Sequence, residues 1–229
     1  WDDLSGQFGV KPLLAGNTGV QMGGWFREPV TSLEDLKGLK MRMPGLGGAT
    51  LNALGAEAVS LPGGEIFAAL QEGRIDATEW VGPYNDLAFG LQKILKAYMY
   101  PGFHEPGTAV CLGINRDWWN VLSESDRLLI TACAETENDM MIAEYNANNG
   151  LAMRNLITQH GVTLHEFPRE VWNEIARTGE EVVANVAKDD LLGARIYSSY
   201  TRFRKSVAGW SEISDQAFLR ARADVLGKA

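Results

Sequence analysis

The sequence predicts an α/β protein, and two observations carry that prediction. Along residues 10–80, short apolar runs with strand character alternate with short helical patterns, the signature of a sheet flanked by helices. After Ser123 the pattern changes to long stretches with almost no proline or glycine, which suit long helices.

Residues 10–15 and 20–26 are predicted strands. Ser32 is placed to cap a short helix, with Asp35 three residues later as its reciprocal partner. Residues 40–43 form a short strand stopped by Pro44, and the glycine-rich turn 45–48 leads into a helical segment, 49–54. A strand at 59–62, a helix at 65–71 ended by Gly73 and a strand at 75–80 follow. Cys111 lies in the apolar strand run 109–112. From Ser123 to Gln159 there is no proline and Gly150 is the one glycine; Leu129, Cys133, Met140, Ala147 and Leu151 recur on one face of a long helix. Residues 162–167 form a brief strand. Beyond Pro168 there is no further proline, and Ile196, Tyr200, Phe203, Val207 and Trp210 form a heptad-like stripe. Two readings of this tail stand: helices broken near Gly179, Gly193 and Gly209, or a long bent helix that packs on a partner chain.

With 229 residues, 45% hydrophobic and 22% charged, the composition is that of an ordinary globular protein. A net charge of −8 and a pI near 5.0 argue against nucleic acid or an anionic membrane as partner, but a small anion responds to its local site. No apolar run approaches membrane-spanning length. The chain opens Trp1-Asp2, without an initiator methionine or leader, which suggests a processed or partial chain. Cys111 and Cys133 fit no zinc spacing; they are expected as unpaired, buried thiols, with a disulfide as the alternative.

Four places carry candidate chemistry. Gln21, in a glycine-rich strand, offers a neutral carbonyl oxygen, though by itself the stretch fits an exposed strand residue better. Arg42, at a strand end before a tight turn, presents a planar fork suited to a carboxylate, though by itself it fits an exposed edge residue or a salt bridge to a nearby acid better. Glu79 and Trp80 end a strand before Gly82-Pro83, where open α/β sheets hold ligands; the alternative is a core tryptophan beside a solvated acid. His104-Glu105, in the turn-rich stretch 100–107, is read as a crossing segment, because adjacent extended residues point opposite ways and cannot form an acid–base pair. There is no Walker loop, no GxGxxG opening a helix, no HExxH, no GxSxG and no nucleophile beside a base.

The phrase Ser32-Leu-Glu-Asp-Leu-Lys-Gly-Leu-Lys-Met-Arg42-Met-Pro-Gly45 resembles the signature of TRAP-type solute-binding proteins, the extracytoplasmic subunits of tripartite ATP-independent transporters. Further matches follow in order: Leu54-Gly-Ala-Glu-Ala-Val59, then Glu65-Ile-Phe-Ala-Ala-Leu-Gln-Glu-Gly73 and Ile75-Asp76. Gln21-Met-Gly-Gly-Trp-Phe26, Glu79-Trp-Val-Gly-Pro-Tyr84 and Tyr100-Pro-Gly-Phe-His-Glu-Pro-Gly107 resemble the branch that binds 2-oxo acids and lactate with a metal ion.

The resemblance implies a two-lobed, type II periplasmic-binding-protein fold whose first lobe is truncated at its N-terminal side. It makes residues 1–80 mainly the second lobe, 81–115 the hinge crossing with the rest of the first lobe, 116–167 the return to the second lobe, and 168–229 a helical dimerisation region. Arg42 is implied to grip the ligand carboxylate. Gln21, Glu79 and the Trp80 carbonyl are implied to hold Na⁺ or Ca²⁺, and all three oxygens are of the hard type those ions prefer. The implied function is periplasmic capture of a small monocarboxylate, pyruvate-like or lactate-like, for delivery to the membrane permease subunits, with a homodimer formed through the C-terminal helices. The rival is a metal-dependent enzyme acting on 2-oxo acids, which would need a general base that the sequence does not display.

Overall fold

The predicted alternation is present in the computed structural model, which describes residues 1–226. The chain divides into two units, residues 1–180 and residues from 181 onward. The first unit opens with α1 (Asp2–Ser5), a 3-10 turn (Gly6–Phe8), β1 (Val10–Asn17) and β2 (Gly24–Phe26). A capped 3-10 turn (Leu33–Leu36) leads to β3 (Lys40–Arg42), α2 (Gly45–Ala53), β4 (Glu57–Val59), α3 (Gly63–Gln71) and β5 (Ala77–Thr78). Then come α4 (Pro83–Phe89), β6 (Ala97–Tyr100), β7 (Ala109–Asn115), α5 (Arg116–Val121), α6 (Glu124–His160), β8 (Thr163–Glu166) and α7 (Arg169–Val186), whose last residues enter the second unit. That unit holds α8 (Leu191–Ile213) and α9 (Asp215–Leu226).

Six strands form one sheet in the order β4-β3-β5-β2-β6-β8. β4, β3 and β5 run parallel, β2 is antiparallel to both neighbours, and β6 and β8 are parallel. Because successive strand residues face opposite ways, Trp25 and Tyr98 enter one core and Phe26 and Met99 the other. Both faces of the sheet are therefore covered, as expected of parallel strands with near-continuous apolar sequence. β1 and β7 form a separate antiparallel ribbon against which α6 packs; α6 also packs on α4. The predicted reciprocal cap of Ser32 and Asp35 is present.

Several expectations are corrected. The strand expected at 20–26 pairs regularly only over Gly24–Phe26, since residues 18–23 leave the ladder and keep isolated bonds from Met22 N–H to Val81 and Gly23 N–H to Met99. The strand expected at 75–80 narrows to Ala77–Thr78 and the one at 59–62 shifts to Glu57–Val59. Residues 45–48 form the first turn of α2 instead of a separate loop. The tail is broken into separate helices, at residues 187–190 near Gly193 and at Ser214 a few residues past Gly209, but α7 runs through Gly179 without a break. Leu129, Cys133, Met140, Ala147 and Leu151 are exposed, and α6 instead buries Ala134, Ala152 and Leu156. Spacing locates an apolar face but not which of two faces meets the sheet. Cys111 and Cys133 are free, as expected, but exposed. Cys133 sits on that outer face of α6, and Cys111 on the ribbon opposite the exposed Leu14.

One polar group is fully enclosed by this packing. Asp86 of α4 accepts hydrogen bonds at Oδ2 from Trp25 Nε1 (2.7 Å) and Tyr98 Oη (2.6 Å), and at Oδ1 from Val81 N–H (3.1 Å). Burial pushes its carboxyl up to about 6, against the opposing pull of the donors. The same burial, with the nearby Asp86 carboxylate, pushes the Tyr98 phenol well above its usual value. Since the folded protein holds the Asp86 proton more tightly than the unfolded chain does, the cost of its charge is fully present above about pH 6 and relieved as pH falls towards 4. The stability of the wild type relative to Asp86→Asn should therefore rise by up to about 3 kcal/mol between pH 7 and pH 4, measured by urea unfolding across that range.

Candidate functional site

Arg42 and Glu79 leave the C-terminal ends of two adjacent parallel strands. β3 and β5 pair with Arg42 opposite Thr78, and the Glu79 N–H donates to the Arg42 carbonyl at 3.2 Å. The side chains continue that pairing, with Arg42 Nη1 donating to Glu79 Oε1 in a charge-assisted hydrogen bond. With side-chain exposures of 12% and 6%, this is a buried ion pair and not a surface salt bridge. Arg42 Nε donates to the Leu61 carbonyl at 3.2 Å, and the guanidinium carbon lies 5.6 Å from the centre of the Trp80 ring. Among the described residues no acceptor hydrogen-bonds Nη2, so one arm of the fork remains for another anion.

Trp80 is a half-buried wall. It stacks on Phe89 at 4.7 Å, and its far edge is so close to Gly63 that a Cβ there would sit 2.8 Å from the ring. Gly63 opens α3, so that helix can approach the indole only because the position carries no side chain.

Gln21 is buried in the segment beside them. Its Nε2 donates to Thr18 Oγ1 (3.1 Å) and Thr108 Oγ1 (2.5 Å), while its Oε1 is buried with no protein donor. Backbone bonds fix the segment: Met22 N–H donates to the Val81 carbonyl (3.1 Å) and Gly102 N–H to the Gln21 carbonyl (3.1 Å). Gly102 is required here, because a Cβ would stand 2.6 Å from that carbonyl oxygen. The structure thus brings Arg42, Glu79 and Trp80 into direct contact and places Gln21 on the strand segment that is hydrogen-bonded to the residue after Trp80.

A residue that sequence reasoning set aside joins them. His104 is buried, with Nε2 3.4 Å from Glu79 Oε2 and neither ring nitrogen in a hydrogen bond. Glu105 turns elsewhere and accepts from Thr108 Oγ1, so the adjacent pair does have divergent partners. No local pattern marks His104, since its contact depends on how the 101–108 segment crosses the sheet ends.

A buried amide oxygen without a donor is costly unless something electropositive meets it. Gln21 Oε1, the Glu79 carboxylate and the Trp80 carbonyl are hard oxygen donors, able to serve Na⁺ or Ca²⁺ and poor for zinc. Among the described residues no three His, Cys, Asp or Glu side chains cluster to hold a metal. No helix among the described residues is long and apolar enough to cross a membrane. Replacing Glu79 by Gln should leave Arg42 charged, enclosed and without its anion, at a cost of about 3 kcal/mol. The double variant Arg42→Met/Glu79→Gln should be less destabilised than Glu79→Gln alone, as read from urea midpoints.

A family model described as bacterial extracellular solute-binding protein, family 7, matches residues 2–190. A monocarboxylate 2-oxoacid-binding periplasmic protein of Nostoc sp. strain PCC 7120 is 37% identical over 211 residues, which is 92% of this chain and 58% of the relative. The chain thus spans less than two thirds of that relative's length. Among solved structures, a TRAP transporter solute-binding protein from Bordetella bronchiseptica RB50 superposes with a TM-score of 0.94 at 32% identity, over 98% of this chain and 67% of that one. It is a mixed-occupancy dimer with copurified calcium and picolinate in one active site. A TRAP periplasmic solute-binding protein from Pseudoalteromonas atlantica T6c, with bound sodium and pyruvate, gives a TM-score of 0.91 at 36% identity, over 96% of this chain and 67% of that one. The fold is therefore the α/β fold of these binding proteins.

Proposed function

Because the chain belongs to the bacterial extracellular solute-binding protein family 7, we propose that it captures a small monocarboxylate together with a cation outside the cytoplasm, for delivery to a TRAP permease in the membrane. The ligand class is a 2-oxo acid such as pyruvate or a lactate-like 2-hydroxy acid, and the cation is Na⁺ or Ca²⁺. The observation that carries this reading is the buried Arg42–Glu79 pair, with Arg42 Nη2 still unengaged and an unpartnered Gln21 oxygen on the neighbouring segment.

The roles are those that the resemblance implies, and the geometry supports them. Arg42, held at Nε by Leu61, at Nη1 by Glu79 and flanked by Trp80, offers its unengaged Nη2 to the ligand carboxylate in a fixed orientation. Gln21 Oε1, Glu79 and the Trp80 carbonyl would hold the cation, which would supply positive charge to offset Glu79 and to attract the oxygens of a 2-oxo or 2-hydroxy acid. The Trp80 ring, fixed by Phe89 and Gly63, lines the apolar tail of the ligand. In this reading residues 81–115 are the hinge crossing, and residues 168–229 dimerise.

The family is one of solute-binding proteins and not of enzymes. The buried His104 beside Glu79 is the one feature that a metal-dependent enzyme on 2-oxo acids would also use. Incubation of the protein with pyruvate and Ca²⁺ should return the pyruvate unchanged; turnover would favour the enzyme.

Calorimetric titration with pyruvate in Ca²⁺ should show binding that Arg42→Ala weakens by about a hundredfold or more, with circular dichroism unchanged. Undiminished affinity in that variant would remove Arg42 from the site. Chelation in Na⁺-free buffer, or Glu79→Gln, should weaken pyruvate binding in parallel. Finally, Ile196, Tyr200, Phe203, Val207 and Trp210 are all exposed on α8. Sedimentation should show a dimer that Phe203→Asp/Trp210→Asp converts to monomer.

A further inference from the structure

Asp86 is one of two buried carboxylates among the described residues, and the proposed binding chemistry makes no use of it. Glu79, the other buried acid, faces Arg42. Among the described residues no cation pairs with Asp86. Its Oδ2 is tied to β2 through Trp25 Nε1 and to β6 through Tyr98 Oη, and these two rings stack at 4.0 Å. Its backbone N–H closes the first turn of α4 on Gly82 at 2.9 Å. The position of this carboxylate is therefore determined from three elements at once.

What Oδ1 holds is specific. It accepts the N–H of Val81 at 3.1 Å. That N–H and the Trp80 carbonyl belong to one peptide unit, and a trans peptide directs its N–H and C=O in opposite directions within one plane. The next carbonyl, that of Val81, is held by Met22 N–H at 3.1 Å. The Trp80 carbonyl itself accepts no hydrogen bond from the described residues. A charged acceptor on the N–H also polarises the peptide and increases the negative charge on its carbonyl oxygen.

We propose that Asp86 is a positioning residue for cation binding: it grips the Trp80–Val81 peptide by its N–H and so aims and polarises the carbonyl that serves as a ligand to the ion. The inference rests on the reading of the Trp80 carbonyl as a cation donor and extends it one shell outward, where such partners set ligand orientation and strength.

The test is pyruvate binding measured over a Ca²⁺ series in the wild type, Asp86→Asn and Tyr98→Phe. In Asp86→Asn the side-chain amide must set a donor against either Val81 N–H or the Trp25 and Tyr98 donors, so the peptide loses its anchor or its charged acceptor. Tyr98→Phe removes one donor from the network but leaves the Asp86 charge and the Val81 bond. Asp86→Asn should need about tenfold more Ca²⁺ or greater for half-maximal binding, yet reach wild-type pyruvate affinity at saturating Ca²⁺. Tyr98→Phe should lower the thermal midpoint but keep the wild-type Ca²⁺ requirement. Should both variants lose Ca²⁺ affinity in proportion to their lost stability, or Asp86→Asn keep the wild-type requirement, Asp86 is merely structural. A wild type whose pyruvate affinity, after chelation and in Na⁺-free buffer, ignores both added Ca²⁺ and added Na⁺ overturns the cation reading and this inference with it. If Asp86→Asn does not fold, the Val81 amide resonance of the wild type decides: it should shift on adding Ca²⁺, and an unmoved resonance overturns the proposal.

Discussion

The structure is organised around a charge pair kept out of water. Arg42 and Glu79 are enclosed together at the ends of β3 and β5, and neither charge could remain there alone without a large desolvation cost. Their attraction holds each in place while the surrounding side chains close over them. On the proposed reading, that pair also links the two ligands. An arriving carboxylate competes with Glu79 for Arg42, and an arriving cation competes with Arg42 for Glu79. Each one relieves the vacancy that the other would create, so acid and cation assist one another's entry.

Sheet topology puts the pair where it is. β3 and β5 are neighbours and parallel, so their C-terminal ends emerge side by side, and the residues just past those ends share one rim. β2 runs the other way beside β5 and brings the 18–23 segment to the same rim. The 101–108 segment, leaving β6, covers it. Cores on both faces of the sheet, with Trp25 and Tyr98 on one side and Phe26 and Met99 on the other, keep these strand ends from shifting.

Much of this was legible. Arg42 and Glu79 stand beside turn signals at strand ends, and the resemblance singled out Gln21 and Trp80 with them. What the residues alone left open was whether Arg42 lies at the surface, because burial depends on Trp80, Leu61 and the crossing segment. The crossing segment and the divergence of His104 from Glu105 were legible, but the contact of His104 with Glu79 was not, since nothing local distinguishes a histidine in a turn from one folded back onto a carboxylate. Asp86 carried no signal either: it lies one turn into α4, and its partners Trp25 and Tyr98 come from strands far away in sequence. The long helix illustrates a general ambiguity. α6 is apolar on more than one side, so periodicity found a stripe but chose the outer one.

The threonine contacts around Gln21 have a directional consequence. A carboxylate can only accept, so with Glu105 at one end the Thr108 hydroxyl must give its proton away to it. The Thr108 oxygen is then a receiver, and Thr18, which spends its own proton on the Gly19 carbonyl, is another. Both demand the NH₂ end of Gln21, and a reversed amide would confront two lone pairs with a third. The order of protons along Glu105, Thr108 and Gln21 therefore works as a ratchet with one permitted setting. It makes the remaining corner of the amide a detector of electrical sign: a positive visitor is received, and a negative one finds nothing there to hold.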